Sequence, residues 1–437
     1  MKQSLAIILA LVAFSVAARS HEKITIDGRL NCPFISHNGG TVYLQISIVT
    51  PTVESPRRRP MNLAVVLDRS GSMADQGKIE YAKRALYALI DQLQPDDLFS
   101  LVIYDDVIDV LRRSHRVSDK RELRRLVEDV YPRGATNLGG GMIEGLRQVE
   151  RSLDKEYVNR VILLSDGLAN RGVTDRHELE RIARRYRARS ISLTTMGMGL
   201  DYNENLMVGL AESGGGNYYF IESPHSLASI FHREFNTLSS VVAQNARIEL
   251  KLGRGVRLLD AIGCEHRIDK DEYIIPIGDL CSGERRELTV ELEVPEGTGT
   301  LTVARGLLRF DGKRGWLESW PSFSTTVRYT RILAEVDRNR DLDAQAKADV
   351  ALSTRRVDKA MKALDEGRHE DAAMELKVAE SSLATSPAAA IAGAAGEAVQ
   401  EQMLKLQSYQ SILKDSSDQR RAKKAIQYDN YQAQKRK

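Results

Sequence analysis

Five short apolar runs, separated by stretches of helical character, occupy the middle of this 437-residue chain. Between the first two, residues 78–93 place their apolar side chains on one helical stripe. Near-continuous apolar strands that alternate with helices predict a largely parallel sheet covered on both faces, which is a doubly wound α/β domain. The five runs cover residues 62–67, 98–104, 161–164, 191–196 and 218–221.

β patterning flanks this α/β region on both sides. Upstream, residues 23–26 and 42–49 resemble strands, and a joint rich in proline and arginine follows at 51–60. A two-stranded ribbon is marginal alone, so we expect these strands to complete a downstream β-sandwich, with the α/β domain inserted between its two parts. The downstream strand-like runs cover residues 247–252, 256–259, 273–277, 287–294, 300–310 and 322–329.

The first 18 residues are typical of a signal peptide. Lys2 provides the positive start, residues 5–14 form an apolar run too short to span a bilayer, and Val16 and Ala18 are the small residues before a cleavage point. An uncleaved membrane anchor is the alternative. We expect an exported protein, periplasmic or secreted, with no transmembrane segment after cleavage.

The last hundred residues are rich in helix-forming residues. Residues 360–383 have the pattern of a helical hairpin that faintly resembles a tetratricopeptide half-repeat, residues 386–396 form a small-residue linker, and one last helix is predicted from Glu397. Its basic residues are either a solvated tail or a patch for an acidic partner. They are Arg420, Arg421, Lys423, Lys424, Lys435, Arg436 and Lys437.

These patterns predict a multidomain chain. We assign a signal peptide to residues 1–18, N-terminal strands to 19–56, the α/β domain to 60–238, the β-sandwich to 243–330 and a helical region to 331–437. The net charge of +3 is too small for general nucleic-acid binding. Cys32, Cys264 and Cys281 lack a metal or catalytic pattern, and the sequence leaves any disulfide pairing open.

The string with the clearest chemistry is Asp68-Arg69-Ser70-Gly71-Ser72-Met73, directly after the first apolar strand. It offers one carboxylate and two hydroxyls at alternate positions, and hard oxygen ligands suit Mg²⁺, Mn²⁺ or Ca²⁺. Ligands bind beyond the carboxyl ends of parallel strands, which directs attention to the loops after Leu67, Val130 and Leu164. Those loops add Thr136 within the glycine-rich residues 134–141, and Asp166 within Ser165-Asp166-Gly167.

Together these three strings resemble the metal-ion-dependent adhesion site of von Willebrand factor type A domains, of the bacterial secreted or envelope type. The resemblance covers residues 61–235 and implies a Rossmann-like fold with a divalent metal, Mg²⁺ or else Mn²⁺ or Ca²⁺. The metal ligands that it implies are Asp68, Ser70, Ser72, Thr136 and Asp166. It also implies a protein partner whose Asp or Glu carboxylate completes the coordination of the ion.

Three functions follow from this interpretation. The first is a metal-dependent protein-binding module for adhesion or assembly outside the cytoplasm, which is not an enzyme. The second is an envelope scaffold that recruits partners through the C-terminal helices, and the third is a metal-assisted hydrolase, for which the sequence shows no general base. A phosphate-binding loop is disfavoured because residues 134–141 lack the G-K-[ST] ending. Residues 197–205 are predicted to be a loop that flanks the metal site. The sequence does not indicate the partner or the oligomeric state.

Overall fold

The computed structural model describes residues 23–53, 58–312, 320–415 and 418–435. The α/β region contains one six-stranded sheet in the order β6-β5-β4-β7-β8-β9. Its strands are β4 (Met61–Asp68), β5 (Leu98–Tyr104), β6 (Ile108–Arg116), β7 (Val158–Ser165), β8 (Ser192–Met198) and β9 (Gly215–Ile221). β4 pairs in parallel with β5 and β7, so the central strand ends where Asp68 begins the first predicted site loop.

Helices cover both faces of this sheet, as the strand pattern predicts. Alternate residues of β4 point to opposite faces: Leu63, Val65 and Leu67 pack with three helices on one side, and Ala64 and Val66 with three on the other. The first layer contains α1 (Lys78–Gln92), α2 (Lys120–Glu128) and α6 (Leu227–Ser239), and the second α3 (Leu138–Arg151), α4 (Arg176–Arg187) and α5 (Glu204–Gly214). The doubly wound α/β prediction is confirmed.

The edge strand β6 was not predicted from the sequence. It pairs antiparallel with β5 and is largely half-buried or exposed. Its sequence, Ile-Asp-Val-Leu-Arg-Arg-Ser-His-Arg, lacks the continuous apolar run that identifies the buried strands. An edge strand buries less surface, and charged side chains there discourage pairing with another chain.

Strands from before and after the α/β region share two further sheets. β1 (Thr25–Leu30) and β3 (Gly40–Val49) join a four-stranded sheet in the order β1-β3-β14-β11, and β2 (Phe34–Ser36) is the edge of a six-stranded sheet in the order β12-β13-β10-β15-β16-β2. One hydrophobic core includes buried residues of both sheets. The later strands are β10 (Val241–Leu252), β11 (Arg257–Ala261), β12 (Arg267–Asp269), β13 (Glu272–Cys281), β14 (Arg285–Val294), β15 (Thr300–Gly312) and β16 (Ser322–Thr330).

The C-terminal region is helical, as predicted. After the short α7 (Leu333–Arg338), α8 (Leu342–Asp365) and α9 (His369–Ala384) form the hairpin, and Gly367 adopts a positive φ of 73° at its turn. The prediction of one last helix from Glu397 is wrong, because two helices lie there: α10 (Ala394–Asp415) and α11 (Gln419–Lys435). The last of them, α11, packs against α8 and β9.

Three basic residues of α11, Arg421, Lys423 and Lys424, contact acids of this chain, and Arg420 is exposed to solvent. Lys423 Nζ and Lys424 Nζ each donate to Glu204 at 2.5 Å, and Arg421 pairs with Glu222. The Tyr431 hydroxyl accepts the Tyr218 backbone N–H at 3.1 Å. The helix is therefore docked on the α/β domain.

Other sequence predictions have simpler outcomes. The three cysteines are free, with Cys32 buried and Cys264 and Cys281 half-buried. No helix in the described ranges combines the length and apolar character needed to cross a membrane. The predicted signal peptide, Arg436 and Lys437 lie outside the described residues.

Candidate metal centre

The first site loop turns sharply at the end of β4. Asp68 is the last residue of the strand, and its Oδ1 accepts the Ser70 backbone N–H at 2.8 Å. Ser70 Oγ and Ser72 Oγ lie 3.2 Å apart, and the 3₁₀ helix Gly71–Gly77 then leads into α1. The alternate spacing of Asp68, Ser70 and Ser72 thus brings their oxygens to one side of the turn.

The second loop carries Thr136 but does not follow a strand. The prediction of a strand end after Val130 is wrong, because this loop connects α2 with α3. We call the edge of the sheet beyond the carboxyl ends of its parallel strands the rim. The second loop is joined to the rim by backbone hydrogen bonds: the Gly71 N–H donates to Gly134 O at 3.1 Å, and the Arg133 N–H to Arg69 O at 2.7 Å. Thr136 is 4% exposed and therefore faces the interior of the rim.

The third loop places Asp166 and Gly167 next to side chains of the first and second loops. Ser72 Oγ donates to Asp166 Oδ1 at 2.8 Å. A methyl carbon placed on Gly167 would lie 3.1 Å from Thr136 Oγ1 and 3.7 Å from Ser72 Oγ. All five predicted residues therefore meet at one point on the rim, although they come from loops up to about a hundred residues apart. That they hold a metal stays a prediction.

The site contains two fully buried carboxylates. Asp68 Oδ2 accepts hydrogen bonds from Ser165 Oγ at 2.7 Å and from the Tyr104 hydroxyl at 3.2 Å. Burial raises the pKa of Asp68 to about 6, although hydrogen bonds from Ser70 and Ser165 oppose the shift. Burial also raises the pKa of Tyr104, so its phenol stays a protonated donor.

A lysine that sequence reasoning missed supplies positive charge to this site. Lys78 is the first residue of α1, and its Nζ donates to Asp166 Oδ2 at 2.6 Å. Its side chain is only 7% exposed and that of Asp166 is not exposed at all. Lys78 follows the exposed residues Asp75 and Gln76 and begins a helix, and nothing in this local sequence indicates that its side chain is buried.

The donor set fits a hard divalent cation. Two buried carboxylates face one ammonium, so the cluster has an excess negative charge that burial makes costly. Carboxylate and hydroxyl oxygens are the ligands that Mg²⁺ and Ca²⁺ prefer. No group of three His, Cys, Asp or Glu side chains that could hold an ion occurs in the described ranges, so the hydroxyls would be essential to binding.

An outer layer of ion pairs holds the loops in position. The Arg69 guanidinium contacts Asp105 at 2.9 Å and also pairs with Asp109, and Arg133 Nε donates to Asp105 Oδ2 at 2.7 Å. Asp105 is buried, and burial by itself would raise its pKa. The hydrogen bond from the Val107 N–H and the positive charges of Arg133 and Arg69 outweigh this effect, so the pKa of Asp105 is lowered. The first two loops are therefore tied to the end of β5.

The predicted loop 197–205 is shorter in the structure, because residues 197–198 belong to β8 and 204–205 to α5, and only residues 199–203 connect the two elements. A methyl carbon on Gly199 would lie 3.7 Å from Lys78 Nζ, and Asn203 caps α5 by accepting the Leu206 N–H at 3.0 Å.

The fold of this region agrees with a family model. Residues 62–233 match the von Willebrand factor type A domain. This part of the chain is a von Willebrand factor type A domain. Domains of this family generally mediate protein–protein interaction, often through a divalent metal. We call residues 62–233 the A domain below.

Relatives of the A domain occur in bacteria and animals. The chain is 26% identical over 255 residues to the uncharacterized protein YfbK of Escherichia coli, covering 57% of this chain and 44% of that protein. It is 29% identical over 210 residues to the uncharacterized protein sll0103 of Synechocystis, covering 48% and 49%. Human inter-alpha-trypsin inhibitor heavy chain H1 is 30% identical over 174 residues, covering 38% and 19%. The chain thus spans about half or less of these relatives.

Two solved structures share the fold over nearly the whole chain. A von Willebrand factor type A protein from Catenulispora acidiphila superposes with a TM-score of 0.73 at 16% identity, covering 95% of this chain and 97% of that one. The ArnB paralog VWA2 from Sulfolobus acidocaldarius gives a TM-score of 0.61 at 17% identity, covering 94% and 99%. At these identities the likeness concerns the fold alone.

Proposed function

We propose that the A domain binds Mg²⁺, or Mn²⁺ or Ca²⁺ in its place, through Asp68, Ser70, Ser72, Thr136 and Asp166. The observation that carries this proposal is the meeting of five oxygen-bearing side chains from three loops, with two buried carboxylates among them. A bound ion would offset their excess negative charge. It would also offer an electrophilic position to a ligand from outside.

We further propose that the protein binds a partner protein that presents an Asp or Glu carboxylate to this ion. Three large apolar side chains stand exposed on the loops around the site: Val107 is 53% exposed, Tyr131 58% and Leu168 57%. Exposed apolar side chains around a polar centre are typical of interaction surfaces. Together they support a binding surface with the metal at its centre.

Replacing Asp68 tests this function directly. Asp68→Ala removes a carboxylate of the metal centre, so we expect loss of Mg²⁺ binding in calorimetry and loss of Mg²⁺-dependent partner capture. Asp106→Ala is the matched control, because Asp106 lies in the loop after β5 but is 51% exposed, and its carboxylate pairs with Arg171 at 3.8 Å. Circular dichroism and a urea melt check that both variants are folded. Partner binding that persists equally in excess chelator contradicts the proposal.

The scaffold function through the C-terminal helices is the second candidate. Deletion of residues 331–437 would not test it cleanly, because α11 covers Tyr218 and pairs with Glu204. Substitution of exposed apolar residues on the helices is cleaner, and Met374 and Leu404 are 61% and 65% exposed. If Met374→Asp and Leu404→Asp abolish capture while Asp68→Ala does not, the helices are the binding element.

We propose a non-catalytic protein that acts outside the cytoplasm. The titratable groups in contact with the site support this, since Lys78 is already paired with Asp166 and the Tyr104 phenol with Asp68. We also propose that the two flanking sheets, from residues 19–56 and 243–330, form one β-sandwich interrupted by the A domain and followed by the helical region 331–437. Their shared hydrophobic core supports this division.

A further inference from the structure

A cavity of about 790 Å³ opens between the A domain and the C-terminal helices. Its volume falls within the range of about 300–1,000 Å³ that is usual for ligand sites. One wall is formed by Leu168, Leu200, Tyr202 and Glu204 of the A domain, and the other by residues of α8 to α11. We call this space the rim cavity.

The rim cavity begins beside the metal centre. Leu168 follows Gly167, where a methyl carbon would lie 3.1 Å from Thr136 Oγ1. Consecutive Cα atoms are about 3.8 Å apart, so the mouth of the cavity is one residue from the ligand loop. Leu200 follows Gly199, which lies close to Lys78 Nζ. Both A-domain loops that line the cavity therefore also border the proposed ion.

The cavity has an apolar floor and a basic lip. Leu200, Leu364, Ala372, Leu376 and Leu413 supply the floor, and the exposed Leu168 stands at the mouth. On the lip, Lys423 and Lys424 are engaged by acids of this chain, Glu204 and Asp365. Lys414 and Arg420 are exposed to solvent, with Asp201 across the cavity. The lip thus favours a ligand that places an anionic group at the mouth of the cavity and apolar groups on its floor.

We propose that the rim cavity is the second anchor for the partner. The occupant is a peptide segment that places one acidic side chain at the ion, inserts the following apolar side chains into the cavity, and presents a second acidic group to Lys414 and Arg420. This inference rests on the proposed metal-dependent function. Apolar anchors in a pocket supply most of the binding energy of such contacts, and complementary charge fixes their direction.

Filling the cavity tests the proposal. Ala373 lines the cavity from the exposed side of α9, so Ala373→Trp would occupy the space without entering a buried core. Met374→Trp is the matched control, because Met374 is 61% exposed on the same helix and does not line the cavity. The probe is a phage-displayed library of random dodecapeptides, selected on the full chain in Mg²⁺.

The expected result has three parts. Selected peptides carry an Asp or Glu followed by bulky apolar residues and a further acid; their affinity falls about tenfold or more in Ala373→Trp; and Met374→Trp leaves it unchanged. Asp68→Ala abolishes their binding. Absence of any selected peptide that Ala373→Trp weakens overturns the proposal.

Further outcomes separate this inference from the function on which it rests. Peptides that need Mg²⁺ and Asp68 but ignore Ala373→Trp overturn the cavity and leave the metal site standing. Peptides that need the cavity but bind equally in chelator and in Asp68→Ala overturn the idea of one segment spanning both. Self-association of the chain that Ala373→Trp abolishes assigns the cavity to a second copy and overturns the acidic-peptide occupant.

The charge of the lip is tested separately. We expect Arg420→Glu to weaken the selected peptides about tenfold, because it places an anion beside their second acid. Arg421→Glu is the control, since Arg421 pairs with Glu222 and does not line the cavity. Equal weakening by both variants, or by neither, overturns the acidic end of the proposed segment.

Discussion

Lys78 shows how one side chain decides the charge of the site. Its ammonium contacts the same carboxylate, Asp166, that we propose for the ion. Without a bound cation, removal of this lysine would leave the buried carboxylate of Asp166 without its ammonium partner, and breaking a buried pair costs about 3–5 kcal/mol. A bound ion would therefore supply positive charge to the same carboxylate as the lysine.

We expect Lys78→Met to lower the free energy of unfolding by about 3–5 kcal/mol in chelator. In excess Mg²⁺ the loss should be smaller, because a bound ion stabilises the folded state and neutralises Asp166. Urea melts with and without Mg²⁺ measure both values. Lys405→Met on α10 is the control: Lys405 contacts the exposed Glu401, and such a pair is worth about 0–1 kcal/mol. An identical loss in chelator and in Mg²⁺ would contradict a shared role.

At the scale of elements, α3 approaches the sheet so closely that it excludes a side chain at one position. A methyl carbon on Gly145 would lie 2.2 Å from Val66 Cγ2 and 3.2 Å from Val161 Cγ1. Both valines are fully buried in strands of the central sheet. Because α3 begins two residues after Thr136, this close packing also fixes the second site loop.

Gly145→Ala should therefore destabilise the protein, although alanine is the better helix former by about 0.8–1.0 kcal/mol. Overpacking a rigid core costs about 1–3 kcal/mol, so we expect a net loss of up to about 2 kcal/mol in thermal or urea unfolding. Val66→Ala removes the methyl groups that clash. The double variant should lose less than the sum of the two single variants, and strict additivity would show that the contact is not limiting.

The elements that could be predicted from sequence are those with a strong local signal. The strand that ends at Asp68 and the helix that begins at Lys78 were correctly predicted because their apolar residues repeat with a clear period. The edge strand β6 and the division between α10 and α11 lack such a period, since their positions depend on packing with distant parts of the chain. The loop around Thr136 is held at the site by hydrogen bonds to other loops, among them those to Arg69 and Gly71, which no local pattern encodes.

The five proposed metal ligands could be predicted from the sequence, but the residues that hold them in position could not. The resemblance gave all five proposed ligands, and the structure brings them together. Tyr104 and Ser165, which hold Asp68 by hydrogen bonds, were missed as site residues because each lies at the end of a strand, where its apolar neighbours dominate the pattern. Contacts of this kind depend on strand register, which the sequence alone does not reveal.

At the scale of the whole molecule, α11 is the element that joins the parts. It packs on α8 and β9, and Gln434 lies against Gly263 of the flanking sheets. Glu204 receives two of its lysines, Lys423 and Lys424. Burial by itself would raise the pKa of Glu204, but hydrogen bonds from these lysines outweigh it, so the pKa is lowered.

Stability from this contact should depend on pH. Because the folded-state pKa of Glu204 is lowered, its contribution is present above the unfolded pKa of about 4.3 and is lost as the pH falls through the folded value. We expect Glu204→Gln to cost about 1–3 kcal/mol at pH 7, with the difference from the parent shrinking below about pH 4. Urea melts at several pH values measure it. Glu222→Gln is the control, since its pair with Arg421 is exposed, and a difference that grows on acidification would contradict the prediction.

The pairing of β3 with β14 has a consequence for the order in which the chain can mature. Thr50 and Glu284 are joined by hydrogen bonds across 234 residues. β3 therefore cannot pair with β14 until the ribosome has synthesised that much later part of the chain. Contacts this distant in sequence form slowly and leave apolar edges open to aggregation in the meantime. The A domain, whose strands all pair within its own span, can fold during that interval. We therefore expect the A domain to fold first in the newly synthesised chain and the two flanking sheets to form last.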